Sequence, residues 1–254
     1  MSAAARAPAG GRSIADYQRA YLASDFEPVQ ARMRKRMLLA LLARHAPRRV
    51  LEVGCGTDAL FRHWSDFDRF VVVEPGELFA AKARRDAEGD ARILVVEDFV
   101  ENAAAALRGE GFDLVLVSGL LHEVPDPAAL LRALRPLCGE HTLVHVNVPN
   151  ARSLHRLLAL EMGLITDLHE LSDRQRALQQ PRTFDLEQLR ALCTGCGFAE
   201  VDAGSYFVKP FSHAQMARLQ HDGLVDERLL QGLYGLARHL PDLGSEIFVN
   251  LRTA

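Results

Sequence analysis

Apolar residues follow two rhythms along the chain. Short, mainly apolar runs occur at about 49–53, 70–73, 93–96, 112–117 and 142–147, and between them apolar positions recur three and four residues apart. Runs of this length bounded by turn-formers read as buried strands, and the three-and-four spacing reads as amphipathic helix. Helices are predicted over 13–24, 29–45, 77–87, 127–136, 153–160, 184–193 and 224–239. Two further strands are predicted at 198–203 and 245–251. Strand and helix alternate from 49 to 147, which predicts a parallel sheet with helices on both faces. Residues 151–183 break the alternation with a helical excursion too short to be a second domain. Residues 1–12 read as a loose tail, without the long apolar core of a signal peptide.

The first strand leads into the stretch around which the rest is arranged, Arg49-Val50-Leu51-Glu52-Val53-Gly54-Cys55-Gly56-Thr57-Asp58-Ala59-Leu60. Glycine serves where a backbone turns sharply or a ligand approaches closely. Thr57 or Asp58 is placed to cap a helix that begins at Leu60, Phe61 and Trp64. A tight turn at the carboxyl end of a strand is where open α/β sheets bind ligands. Two ligands suit it. Gly54-x-Gly56-x-x-Ala59, with acidic Glu74 about twenty residues on, satisfies the loose dinucleotide fingerprint. Glu52, just before the first glycine, suits a cation better than a pyrophosphate.

The stretch resembles motif I of the class I S-adenosylmethionine (SAM)-dependent methyltransferases, written Glu/Asp-x-Gly-x-Gly-x-Gly. Glu52, Gly54 and Gly56 match it, and Asp58 stands where the third glycine is usual. The fourth strand, opened by Asp113, runs into Leu121-His122-Glu123-Val124-Pro125-Asp126, which resembles motif IV of the small-molecule members. The resemblance, to the bacterial small-molecule type, covers about 49–251. It implies a Rossmann-like seven-stranded sheet, mostly parallel, with an antiparallel last strand inserted between strands five and six. It also implies SAM as cofactor.

The site residues follow from that resemblance. Gly54, Cys55 and Gly56 would form the cradle beside Glu52. Glu74, ending strand two, would hold both ribose hydroxyls, since a carboxylate accepts two hydrogen bonds from a vicinal diol. Asp98 would hold the adenine amine and Phe99 would pack on its ring. Ser118, with Gly119, would lie under the methionine part. The cluster Arg32, Arg34, Lys35 and Arg36 is a solvated face, or one arginine, Arg34, reaches the cofactor carboxylate. Tyr17 and Tyr21 pack their helix or form a lid. His122 is a general base, near neutrality by its unperturbed pKa, or else packs beside the adenine. Asn147 and Asn150, leaving strand five, would orient substrate. Tyr206 or His213 lines the pocket or belongs to a structural turn; no role follows for the surrounding Lys209-Pro210-Phe211 run.

Composition narrows the function. The chain has 254 residues, 48% hydrophobic and 25% charged, with a formal net charge of −3. That balance offers no basic footprint for nucleic acid, and no apolar run reaches a membrane span. Four cysteines do not make a disulfide framework at this length, so a reducing cytoplasm is expected. Cys193 and Cys196 have metal spacing but no second pair, so no metal is expected; His155 and His169 read as surface residues. The expected arrangement is a helical lid or tail over 1–48 and a catalytic domain over 49–251, with a cover at about 151–183. The expected activity is methyl transfer from SAM to oxygen, nitrogen or carbon of a small molecule in a biosynthetic pathway. Cyclisation or aminobutyl transfer on the same fold, and an NAD-dependent oxidoreductase, are the alternatives.

Overall fold

A computed structural model describes residues 27–254. The helix expected at 13–24, with Tyr17 and Tyr21, lies outside the described residues. Helix α1 (Glu27–His45) leads into β1 (Arg49–Val53). There follow β2 (Arg69–Val73), α2 (Glu77–Asp86), β3 (Ile93–Val96), the short α3 (Val100–Ala103), β4 (Phe112–Ser118), α4 (Pro127–Leu134) and β5 (Cys138–Pro149). Then come α5 (Leu154–Glu161), α6 (Asp173–Ala177), α7 (Leu186–Gly195), β6 (Phe198–Tyr206), α8 (His213–His221), α9 (Glu227–Gly235) and β7 (Glu246–Thr253).

The seven strands form one sheet in the order β3-β2-β1-β4-β5-β7-β6. Neighbours from β3 to β5 are parallel, and β7 runs antiparallel to both β5 and β6. This is the expected layout, with the last strand inserted between five and six. Alternation sorts the strand side chains onto two faces. Leu51, Val53, Val71, Val73, Val115, Val117, Val144 and Val146 join the core on one face. Val50, Phe70, Val72, Leu114, Leu116 and Leu143 join the core on the other. Burial on both faces explains why these strands read as mainly apolar runs. Fully burying each such side chain contributes about 1.5–3 kcal/mol.

The chain departs from expectation after β1. No α-helix starts there, only a 3₁₀ turn at Leu60–Arg62. Ala59 is extended (φ −56°, ψ 143°) and offers no cap. Asp58 does not cap either. Its carboxylate pairs with Lys35 of α1, with Arg62 at 2.5 Å and with His63 at 3.0 Å. Glu52 takes the Leu60 N–H at 3.0 Å instead, which satisfies a backbone donor without a helix. Three helices escape the sequence reading, α3, α6 and α8. The helix expected at 224–239 is the shorter α9, followed by a 3₁₀ turn at Leu236–Arg238.

Candidate active site

The carboxyl ends of β1, β2 and β4 open into a cavity of about 1140 Å³. Its wall is completed by α1, by residues of the 151–183 segment including His155, Arg174 and Gln180, and by Lys209, His213 and Glu246. At its centre is the glycine bend. Gly54 and Gly56 have φ of +77° and +55°, conformations that L side chains rarely adopt. A Cβ on Gly56 would meet nothing within 4 Å, so that face of the bend is open. The strand-turn sequence thus presents bare backbone to the cavity.

Glu74 braces the bend. One of its carboxylate oxygens accepts the N–H of Cys55 at 3.1 Å and of Gly56 at 3.4 Å, and the other accepts the N–H of Gly76 at 2.8 Å. It is buried, and burial pushes its pKa up to about 7 against the pull of those three N–H groups. A carboxylate offers about four acceptor sites, so capacity remains for hydroxyl donors from the cavity. Glu52 lines the same space, and burial pushes it up to about 8. Two buried acids with raised pKa values beside an open cavity suit a ligand that is cationic and rich in hydroxyl groups. Cys55 is buried and its thiol is pushed up strongly by burial, so it serves through its backbone rather than as a nucleophile.

Other expected residues fall in different places. Phe99, Ser118, Gly119 and His122 line the cavity. The Ser118 hydroxyl is buried and has no hydrogen-bond partner among the described residues, so a polar ligand atom fits there. His122 is 3% exposed, with its Nε2 3.6 Å from Glu123. Asp98 does not line the cavity. Its carboxylate accepts the N–H of Phe99 and the amide of Asn102, both at 2.7 Å. A short acidic side chain next to its own backbone donors satisfies them first.

Asn147 and Tyr206 correct the expectation more sharply. Neither lines the cavity; both are buried behind it, bonded to Glu246. The Asn147 amide donates to Glu246 at 2.7 Å and the Tyr206 hydroxyl donates to the same oxygen. Arg34 closes the network with a two-point contact, Nη2 at 2.5 Å and Nε at 3.0 Å, and Gln30 donates at 2.9 Å. Burial would raise the Glu246 carboxyl, but the Arg34 charge and these hydrogen bonds hold it below the usual range. A buried carboxylate needs such partners, and the polar exits of β5 and β6 supply them. Asn150 also faces the cavity, while its amide holds the carbonyls of Asp242 and Gly244 at 2.9 Å.

Arg34 lies on the cavity wall across from Gly119, where a Cβ would come within 3.2 Å of its guanidinium carbon. Its Nη1 hydrogen-bonds nothing among the described residues. Glu246, Lys209 and Arg174 are wall residues that pattern reading missed. Glu246 and Arg34 are 212 positions apart, and no local spacing signals their pairing. Lys209 carried a signal in its apolar surroundings, Phe207-Val208 before it and Pro210-Phe211 after it, which are unusual for a solvated lysine.

Residues 26–203 match the model of the family described as a methyltransferase domain. No curated protein sequence matches the chain. Among solved structures it resembles a SAM-dependent methyltransferase, a possible histamine N-methyltransferase, from Thermotoga maritima. The identity there is 18%, with 95% of this chain and 92% of that one covered and a TM-score of 0.56. It also resembles the plantazolicin methyltransferase BamL, solved with a desmethyl plantazolicin analogue and S-adenosylhomocysteine. There the identity is 14%, with 94% and 96% covered and a TM-score of 0.56. The [4+2]-cyclase SpnF is similar as well, at 17% identity, with 86% and 80% covered and a TM-score of 0.55. At these identities the likenesses show the fold. The family match, spanning the glycine bend and five parallel strands, removes the dinucleotide reading. The chain belongs to the methyltransferase domain family, and it is a SAM-dependent methyltransferase.

Proposed function

We propose that the chain methylates a small-molecule acceptor, on oxygen, nitrogen or carbon, in a biosynthetic pathway. The observation that carries this reading is the size and shape of the cavity. At about 1140 Å³ it exceeds the roughly 300–1,000 Å³ of a pocket for a single small ligand, and it runs from the glycine bend to helices outside the sheet. Room for a nucleoside and a second small molecule in one space is what such a reaction requires.

In this reading the backbone at Gly54, Cys55 and Gly56 holds one edge of the nucleoside. Glu74 accepts the ribose hydroxyls and Phe99 packs on the base. Ser118 and the Nη1 of Arg34 hold the amino-acid end. When bound, SAM supplies a methyl group already activated by its positive sulfur. The protein therefore needs no covalent intermediate. Its task is to align the acceptor with that methyl group and exclude water, and alignment alone can supply much of the rate. His122 takes the acceptor's proton where the acceptor must lose one. Residues 151–183 act as the cover, with α1 closing the wall beside it.

The test is turnover of SAM with the full chain and a panel of phenols, amines and carboxylic acids, read as S-adenosylhomocysteine released. Acceptor-dependent release supports the reading. SAM that binds but is never demethylated with any acceptor points to cyclisation or aminobutyl transfer on the same fold.

A further inference from the structure

The cavity wall also carries a buried ammonium group that no carboxylate contacts directly, Glu246 and Glu27 acting on it only from a distance. Lys209 is 1% exposed. Its Nζ contacts the Phe211 carbonyl and the His213 Nδ1, each at 3.3 Å, and no carboxylate among the described residues pairs with it. Every guanidinium nearby is engaged with protein groups, Arg34 keeping only its Nη1, on the Gly119 side of the cavity. Arg174 holds Glu27 at 2.7 Å, Arg34 holds Glu246 at 2.5 Å, and Arg156 donates to the carbonyls of Leu168 and Glu170. The two acids of this region are thus taken, and the lysine is left over. A second group points the same way: the Nδ1 of His155, on the same wall, is buried and has no hydrogen-bond partner among the described residues.

Burying an ammonium without a paired carboxylate is costly. A site keeps such a group when the missing charge arrives with a ligand. We propose that the acceptor of this methyltransferase carries a carboxylate, and that Lys209, beside His155 and His213, receives it. The inference rests on the small-molecule reading above and names the acceptor's class.

The charge count favours a monoanion over a phosphate. Burial pushes both imidazoles well below their usual range, so they are neutral donors or acceptors, and one lysine supplies one positive charge. Burial and then the Arg174 charge bring Lys209 down to about 7, so an arriving carboxylate readily draws a proton onto it. Location agrees. Lys209 follows β6, the edge strand, four strand spacings from β1, or roughly 19 Å at the usual separation. A carboxylate there anchors the far end of an acceptor and leaves its reacting end toward the bend.

The test uses the full chain loaded with S-adenosylhomocysteine and titrated calorimetrically with benzoate and with benzamide, its neutral near-isostere. Wild type should prefer benzoate by about tenfold, the order expected for hydrogen bonds to a charged group. Lys209→Met, close in length and uncharged, should bind the two within about twofold and should unfold at the same or a higher temperature, because a buried charge is gone. Equal binding of benzoate and benzamide by wild type, no benzoate binding at millimolar concentration, or an undiminished preference in Lys209→Met overturns the proposal. The S-adenosylhomocysteine titration in the same samples separates the two claims. Cofactor binding without carboxylate preference ends only the acceptor assignment, whereas no cofactor binding ends the small-molecule methyltransferase reading itself.

Discussion

Arg34, in the first described helix, grips Glu246, the first residue of the last strand, through two nitrogens at 2.5 and 3.0 Å. The pair ties the two ends of the described chain together on the cavity wall. Its acid also gathers Gln30, Asn147 and Tyr206, so four side chains from α1, β5 and β6 share the one carboxylate of β7. Replacing Glu246 with glutamine leaves the buried Arg34 charge only Glu27, at 3.6 Å and already held by Arg174. Loss of one partner of a buried pair costs about 3–5 kcal/mol, so Glu246→Gln should lower unfolding free energy by roughly that amount in urea melts. Adding Arg34→Met should recover part of the loss. A loss below about 0.5 kcal/mol would mean the pair behaves like a surface contact.

The open face of Gly56 gives a second prediction. Alanine there must adopt φ +55°, which costs about 1–2 kcal/mol for an L residue, and its methyl enters the open space that the proposed function gives to the cofactor. Gly89 is a matched control, with φ +86° and nothing within 4 Å of a Cβ, but away from the cavity. Gly56→Ala and Gly89→Ala should lose similar stability. Only Gly56→Ala should also weaken SAM binding, by more than about tenfold for a clash with the ligand. Calorimetry on both variants decides the point.

Glu74 makes cofactor binding depend on pH. Without ligand, burial raises its pKa from an ordinary 4.5 to about 7. A cationic ligand favours the ionised form, so binding below about pH 7 must first remove a proton. Affinity for SAM should therefore fall as pH drops from 8 to 6, by roughly tenfold per unit at most for one group. S-adenosylhomocysteine, lacking the sulfonium charge, should show a shallower fall. Glu74→Gln should bind more weakly and keep only the part of the slope that Glu52, raised to about 8 in the same cavity, contributes. The stability of the ligand-free chain carries the opposite sign. The folded state keeps a proton that the unfolded chain releases near 4.5, so the Glu74 contribution is full below that value and is lost as pH rises to about 7. Thermal melts should show Glu74→Gln gaining on wild type between pH 5 and 8.

The fold was legible in the chain because its signals are local. Runs such as Phe70-Val71-Val72-Val73 are buried on both faces and so announce themselves without their neighbours. The glycine bend was legible because positive φ demands glycine. The missing helix after β1 was not, since Asp58 looks like a cap until α1 brings Lys35 against it. Asn147 and Tyr206 read as polar residues at strand ends, the usual place for substrate contacts. What they bond is Glu246, distant in sequence by 99 and 40 positions, and that meeting exists only after folding. Asp98 shows the reverse case: donors one and four residues away hold one of its oxygens, and it does not line the cavity.

His122 tests the proton-transfer part of the account. It lines the cavity and is almost fully buried. General-base catalysis contributes about 10²–10⁴-fold, so His122→Asn should lower kcat by about a hundredfold or more with SAM affinity within about twofold of wild type. An unchanged kcat would make this histidine a packing residue.

The central claim is that the bend braced by Glu74 holds a SAM-type nucleoside, and calorimetric titration of the full chain with S-adenosylhomocysteine, SAM and NAD tests it most directly. The account predicts one-to-one binding of both sulfur nucleosides, abolished or strongly weakened in Glu74→Ala, and no heat of binding from NAD. Saturable NAD binding with neither sulfur nucleoside bound, or nucleoside binding unaffected by Glu74→Ala, would contradict it.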